Sequence, residues 1–314
     1  MREVDIYQVD AFTDVPFGGN PAGVVPDATG LSEDAMQKIA REMNLSETAF
    51  VVDTRGKGPA DFDVRFFTPL SEVDLCGHAT IGAFWLLAEI GMVPLGEGEV
   101  RVTQSTKAGL LPVDILFGCE GTPARVMMTQ APPKFLGEIS SEEILKLEKI
   151  LGAPEGSILG FEGARPQVVS TGLPDLITPV TSREALLSMR PNMAALTAFC
   201  NERKIISVHC FSMETIDPAA TVHFRDFSPA VGVPEESATG TASGATGGYL
   251  LMNGLVPIQG SITRIICEQG YILRRPSTIH VEVAVEDPET PASVNDVRVG
   301  GSAVTVITGK IQTP

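Results

Sequence analysis

Arg65-Phe66-Phe67-Thr68-Pro69 and Arg225-Asp226-Phe227-Ser228-Pro229 are two copies of one R-x-F-[TS]-P pattern. Each is followed by a G-x-A-[TS] pattern, Gly77-His78-Ala79-Thr80 and Gly240-Thr241-Ala242-Ser243. The first pattern reads as a strand end, because aromatic residues run into a proline that cannot continue a β-ladder. The second reads as a helix start, and the apolar run behind it closes in both copies at a glycine fourteen positions on, Gly91 and Gly254. A strand residue follows eleven positions later in each, Val102 and Ile265. Only the loop joining the two patterns differs: eight positions from Pro69 to Gly77, eleven from Pro229 to Gly240. Repetition over this length points to duplication. It implies two similar β-rich units, each wrapped around one buried helix and related by a pseudo-twofold axis. The helix after Gly77 is apolar nearly all round (Ile81, Ala83, Phe84, Trp85, Leu86, Leu87), the mark of a helix enclosed by protein.

The remaining chain supplies the walls. Strands are expected at 4–12, 48–52, 62–68, 100–103 and 125–130, and Ser32 caps a helix whose apolar stripe is Met36, Ile39, Ala40 and Met43. Ala131-Pro132-Pro133 is the sharpest boundary signal. Beyond it come a helix at 141–151, strands at 167–170 and 176–180, a helical stretch over 183–203 broken by Pro191, and strands at 206–213, 221–227, 261–267 and 278–285. The expected fold is therefore α/β (α+β), with units at residues 1–130 and 131–296. A final hairpin around Gly300-Gly301, within residues 297–314, is open to either unit, return to the first included.

A chain of 314 residues has room for two domains. Its net charge of −16 repels phosphate backbones and anionic lipid, so neither nucleic acid nor a membrane is an expected partner. Five cysteines (76, 119, 200, 210 and 267) form an odd set without a CxxC, and the start MREVDIYQVD lacks the apolar core of a signal peptide, which together point to a reducing cytoplasm. No run approaches 18 uninterrupted apolar residues, the length that would suggest a membrane span.

Chemistry is expected at the two repeated helix starts. A buried helix leaves its first N–H groups needing partners, and a leading glycine lets a ligand approach the backbone. If the repeat brings Gly77/His78 and Gly240/Thr241 face to face, they form an electropositive cradle for a carboxylate. The alternative is that Thr or Ser side chains cap both starts and nothing binds. His78, in its first helical turn, is held neutral by the dipole and serves either as an orienting group or acid/base, or as a satisfied structural residue. Glu47 enters an apolar strand and is either exposed at the rim or held for proton transfer. Glu235-Glu236 precede the second helix, where acidic residues are favourable without any catalysis. Cys76 precedes the first helix, where a thiolate is stabilised, but its counterpart is Thr239, so a symmetric two-thiol racemase lacks one base. A C-x-H pair without further ligands is weak evidence for zinc, and dinucleotide, Walker, nucleophile-elbow and HExxH signatures are absent.

Taken in order, 9–13, Phe17-Gly18-Gly19-Asn20-Pro21-Ala22, 44–51, Arg65-Phe66-Phe67-Thr68-Pro69, Cys76-Gly77-His78-Ala79-Thr80, 128–133, 170–174, 235–242 and 299–304 resemble the PhzF family, the phenazine-biosynthesis-like proteins with the diaminopimelate epimerase fold. The resemblance runs almost end to end. It implies two α/β units, an active site in the cleft between them and usually a homodimer. Members of known activity isomerise a dihydro-hydroxyanthranilate with neither metal nor organic cofactor. The family's proton-moving glutamate matches Glu47 and its histidine matches His78. Two further positions, normally Asp and Ser in an E-D-P-A-T-G-S-A pattern, are here Glu236 and Thr241.

The expected function is thus a cofactor-independent isomerase acting on a small anionic carboxylate. Glu47, His78 and Glu236 are its expected catalytic residues, and Asn20, Cys76, Gly77, Thr239, Gly240 and Thr241 bind substrate. Two alternatives stand beside it: a one-thiol epimerase or racemase using Cys76, and a non-catalytic small-molecule-binding or interaction protein. Finding Glu47 exposed and far from both helix starts favours the last.

Overall fold

A computed structural model describes residues 3–94, 98–118, 121–158, 163–287 and 294–313, and these divide into two units, Met1–Thr129 with Gly300–Pro314, and Gln130–Val299. Cys119 lies outside the described residues.

The first unit runs β1 (Glu3–Ala11), β2 (Asn20–Val25), α1 (Glu33–Met43), β3 (Glu47–Asp53), β4 (Phe62–Phe67), β5 (Glu72–Val73), α2 (Gly77–Glu89), β6 (Glu99–Thr106), β7 (Gly109–Phe117) and β8 (Pro123–Gln130). Its last strand, Ala303–Gln312 (β18), pairs antiparallel along β1. Ten of the thirteen residues of α2 are buried, as expected of a helix without a polar face. It packs on β1, β2, β3, β7 and β18, strands from across the sheet, so the sheet is wrapped around it. Gly82 permits the close approach, since a Cβ there would meet Val9 Cβ at 3.4 Å. On the other side of the sheet α1 buries Met36, Ile39 and Ala40 against Val4, Ile6, Val25, Phe50 and Phe67.

The second unit runs β9 (Lys134–Glu138), α3 (Ser141–Leu151), β10 (Gln167–Ser170), β11 (Pro174–Pro179), α4 (Arg183–Ser188), α5 (Met193–Arg203), β12 (Ser207–Ser212), β13 (Val222–Ser228), β14 (Val233–Glu236), α6 (Gly240–Met252), β15 (Ile262–Gln269), β16 (Ser277–Val285) and β17 (Val294–Gly301). Helix α6 is thirteen residues long, as α2 is, and each is followed by a left-handed glycine, Gly91 (φ 75°) and Gly254 (φ 66°). A second core fills the space between α3, α4, α5 and their sheet, with Leu147, Leu151, Leu186, Leu196, Phe199, Val208 and Phe227 at its centre.

Strand pairing carries the duplication further than the motifs do. In the first unit β1/β2 pair antiparallel, β2/β3 parallel, β3/β4 antiparallel, β4/β6 parallel and β6/β7 antiparallel. In the second, β10/β11, β11/β12, β12/β13, β13/β15 and β15/β16 follow the same alternation. Register repeats too: Thr48 faces Phe67 and Val208 faces Phe227, which makes Ser207 the counterpart of Glu47. The repeated arginines make matching forks. Arg65 donates from Nε and Nη2 to Glu72 (2.7 and 2.7 Å), and Arg225 donates from the same atoms to Glu235 (2.8 and 2.9 Å). The three extra residues of the second loop therefore fall between the proline and the fork's acid, where residues Pro229–Val231 turn as a short 3-10 helix.

Two local expectations need correction. Val233–Glu236 is not merely a lead-in to a helix but a strand paired with β13, and Glu235 serves the arginine fork rather than a helix dipole. Strand β7 is missed by alternation because Pro112 and the buried Asp114 interrupt it; Asp114 is matched by Arg101 across the pair, with Nε donating to Oδ1 at 2.6 Å. Among the described residues no helix is long and apolar enough to cross a membrane.

Candidate active site

Among the described residues four of six α-helices have a side-chain cap: Ser32 on α1, Ser140 on α3, Ser182 on α4 and Asn192 on α5. The two repeated helices have none, although Thr239 sits at the cap position of α6 and Cys76 at that of α2. Their hydroxyls point the other way. Thr80 Oγ1 and Ser243 Oγ donate back to the carbonyls of Cys76 and Thr239, at 2.8 and 2.7 Å. Capping by Thr or Ser is thus excluded at both starts, and their amide ends are left for other acceptors. Gly77 has room for one: a Cβ there would meet nothing nearer than Met128 Cε at 3.7 Å, so packing within the unit does not demand glycine.

Beside the α2 start the chain gathers three groups of different chemistry. Helix α1 ends at Asn44 in the left-handed conformation, turning the backbone directly into β3, whose first residue is Glu47. Glu47 Oε2 lies 3.3 Å from His78 Nε2, and the Glu47 side chain is 19% exposed. Ser46 Oγ is 3.1 Å from the same nitrogen, and Cys76 Sγ is 3.4 Å from His78 Nδ1. The ligand atoms of Glu47, Cys76 and His78 all lie within 4.8 Å of one another. Burial holds the His78 imidazole below its ordinary range, with the Glu47 carboxylate opposing. Neutral imidazole is the expected form, and desolvation is its leading cause. A neutral ring protonated at Nε2 donates toward Ser46 or Glu47 and accepts the thiol proton of Cys76 at Nδ1.

Asn20 begins β2, the neighbour of β3, two residues before Ala22, which is the register partner of Glu47. Gly19 fixes that entry in the left-handed region, where a Cβ would strike the Ala11 carbonyl oxygen at 2.1 Å.

The second unit assembles the other expected residues around a side chain that motif reading does not mark. Gln269, fully buried at the end of β15, accepts from the Thr239 N–H (3.1 Å) and donates to the Glu236 carbonyl (3.0 Å) and to Thr239 Oγ1 (3.1 Å). Gln130 donates to the Gly240 carbonyl at 3.1 Å, and Thr171 Oγ1 donates to the Thr241 carbonyl at 3.2 Å. These three side chains fix the α6 start from outside the helix. Ser46 was within reach of sequence reading, since it adjoins Glu47, but Gln269 is 33 residues from Glu236 and carries no local signal.

Residues 9–309 match the profile of the PhzC-PhzF phenazine biosynthesis-like proteins. The chain belongs to this family. An uncharacterized isomerase of Clostridium acetobutylicum is 37% identical over 311 residues, 99% of each chain. The crystal structure of a Bacillus anthracis phenazine biosynthesis protein of the PhzF family superposes with a TM-score of 0.87 at 32% identity, covering 99% of this chain and 100% of that one. A hydroxyproline epimerase of Agrobacterium vitis, solved with trans-4-hydroxy-L-proline, shares the fold at a TM-score of 0.62 and 15% identity, over 99% of this chain and 92% of that one. The mixed α/β, epimerase-like fold is thus common to PhzF proteins and amino-acid epimerases.

Proposed function

We propose that this PhzF-family protein is an isomerase that moves a proton on a small carboxylic acid, with Glu47 as the acid/base. The observation that carries the reading is the approach of Glu47 Oε2 to His78 Nε2 at 3.3 Å beside an uncapped helix start. A carboxylate held there removes a proton and returns it at another carbon, while His78 and Ser46 orient it. The uncapped amide end of α2 takes the substrate carboxylate, which suits a chain of net charge −16: backbone dipoles, not surface cations, supply the attraction. Asn20, Cys76, Gly77, Thr239, Gly240 and Thr241 contribute to binding, and Glu236 assists at the second helix start. Every group the reading uses belongs to the chain itself. The family resemblance supports a homodimer as the assembled form, which light scattering on the purified protein checks.

The test is a panel of small unsaturated and α-substituted carboxylic acids incubated in D2O and followed by proton NMR. The wild type exchanges a carbon-bound proton of its substrate for deuterium and forms an isomer; Glu47→Gln does neither. An equally active Glu47→Gln removes the assignment.

A second reading, a one-thiol epimerase, draws on the Cys76 Sγ to His78 Nδ1 contact of 3.4 Å, which pairs the thiol with a base. It requires Cys76→Ser to abolish activity and substrate to protect the thiol from alkylation. The finding that would favour a purely binding protein, Glu47 exposed and far from both helix starts, is not met, because its side chain is 19% exposed and lies 3.3 Å from His78 in the first turn of α2.

A further inference from the structure

We infer that Glu47, Cys76 and His78 form a binding site for a soft divalent cation, Zn2+ in the first instance, with the fourth position open. The inference stands on donor chemistry and spacing and not on the isomerase reading. Thiolate, imidazole and carboxylate are zinc's three protein ligand types, and three such ligands with one open position is the arrangement of an accessible rather than a structural zinc site. Zinc bonds of about 2.0–2.3 Å at tetrahedral angles put ligand atoms about 3.3–3.8 Å apart. Here His78 Nε2 is 3.3 Å from Glu47 Oε2 and 4.0 Å from Cys76 Sγ, and the set closes within 4.8 Å. Side-chain rotation of Cys76 and Glu47 of about an ångström completes the geometry.

The two residues beside His78 come from places with room to adjust, since Cys76 is half-buried and Glu47 is the first residue of its strand. The remaining described cysteines offer no competing site. Cys200, Cys210 and Cys267 are buried in the cores, and burial raises all three thiols. Binding forms Zn–S, Zn–N and Zn–O bonds and releases the Cys76 thiol proton to solvent, so affinity rises with pH. With Nε2 on the metal, the His78 proton is carried on Nδ1, and Cys76 Sγ gives up its 3.4 Å contact with that nitrogen to reach the ion. On the isomerase reading the ion ties up the carboxylate that must move the proton, and Zn2+ is an inhibitor.

The probe is Co2+ titrated into the apoprotein and displaced by Zn2+, with a separate alkylation assay on the wild type. We expect one equivalent of Co2+ per chain with a thiolate-to-cobalt charge-transfer band in the near ultraviolet. The band is absent from Cys76→Ser, and Zn2+ binding weakens at least 10–100-fold in His78→Ala, the loss that even an outer-shell change causes. Zn2+ also shields Cys76 from iodoacetamide in the unaltered chain, which keeps the test independent of how the variants fold. No band in the wild type, a band retained in Cys76→Ser, or alkylation indifferent to Zn2+ overturns the site. Because these readouts need no turnover, the two readings fail separately. Zinc binding without any substrate exchange defeats the isomerase reading alone, and substrate exchange without zinc binding defeats the metal site alone.

Discussion

At the register position where the first unit carries Glu47, the second carries Ser207, and the two are treated in opposite ways. Glu47 stands at a strand start with His78, Ser46 and Cys76 around it and part of its side chain open to solvent. Ser207 is buried and donates to Asp175 at 2.9 Å, and Asp175 takes the place that Ala22 holds in the first unit. Further in, His209 Nδ1 meets Asp226 at 3.0 Å and Ser228 closes on the same carboxylate at 2.9 Å. One fold thus carries a partly open carboxylate beside a histidine in one copy, the acid/base of the proposed reaction, and a sealed polar network in the other. The strand order, register and arginine fork are shared; what differs is which side chain stands at the strand start and how far it is buried.

The forks give the largest expected difference in stability. Arg225 is 5% exposed, also donates to the Leu186 and Met189 carbonyls at 3.0 Å each, and no second cation lies within 4.0 Å of Glu235 among the described residues. Arg225→Met leaves that carboxylate unpaired, at about 3–5 kcal/mol. Arg65 is 27% exposed, and Glu72 keeps Lys107 at 2.5 Å, so Arg65→Met costs about 1 kcal/mol in urea unfolding. Equal losses would mean that the two forks are not distinguished by burial.

Glycines in the two helices sharpen the contrast. At Gly248 in α6 a Cβ would meet the Pro133 ring at 2.7 Å, and overpacking against a stiff ring costs about 1–3 kcal/mol in Gly248→Ala, offset in part by helix propensity. Gly77→Ala has only ordinary contacts, so its melting temperature stays near wild type while activity on a carboxylate substrate falls. Unchanged activity there would show that no ligand approaches the α2 backbone.

Smaller effects follow from pH, with opposite signs. His78 and His223 are both held below the ordinary value of 6.5, chiefly by burial, so between that value and their folded ones the unfolded chain binds more protons. Their contribution to stability is full above about pH 6.5 and is lost as the pH falls below it. Asp175 is shifted up, first by burial and then by Asp226, so above 3.8 the folded chain holds the extra proton and stability declines as the pH rises. We expect denaturant midpoints to fall between pH 7.5 and 5.5, less so in His78→Gln, and Asp175→Asn to raise the midpoint at pH 7.5.

Much of this arrangement was legible in the chain. Helix α2 could be bounded because Gly77 and Gly91 bracket a run that is apolar nearly all round, with Glu89 at its end, and α3 because Ser140 and Glu143 form a capping box. Strand β14 was not, because Pro234 and two glutamates read as loop until Arg225 supplies the partner for one of them. The site divides the same way. Glu47, Cys76 and His78 are local to strand and helix starts, but their convergence within 4.8 Å depends on a turn at Asn44 and a parallel pairing with β2, and no spacing encodes either. Gln269 is invisible for the same reason, since its role exists only once β15 lies beside the α6 start.

The most direct test of the difference between Glu47 and Ser207 is the rate of deuterium incorporation from D2O into a small carboxylic acid substrate, measured by NMR for wild type, Glu47→Gln and Ser207→Ala. The account predicts a loss of about 10²–10⁴ in Glu47→Gln and a rate within a few-fold of wild type for folded Ser207→Ala. Retained exchange in Glu47→Gln, or an equal loss in both variants, would contradict it.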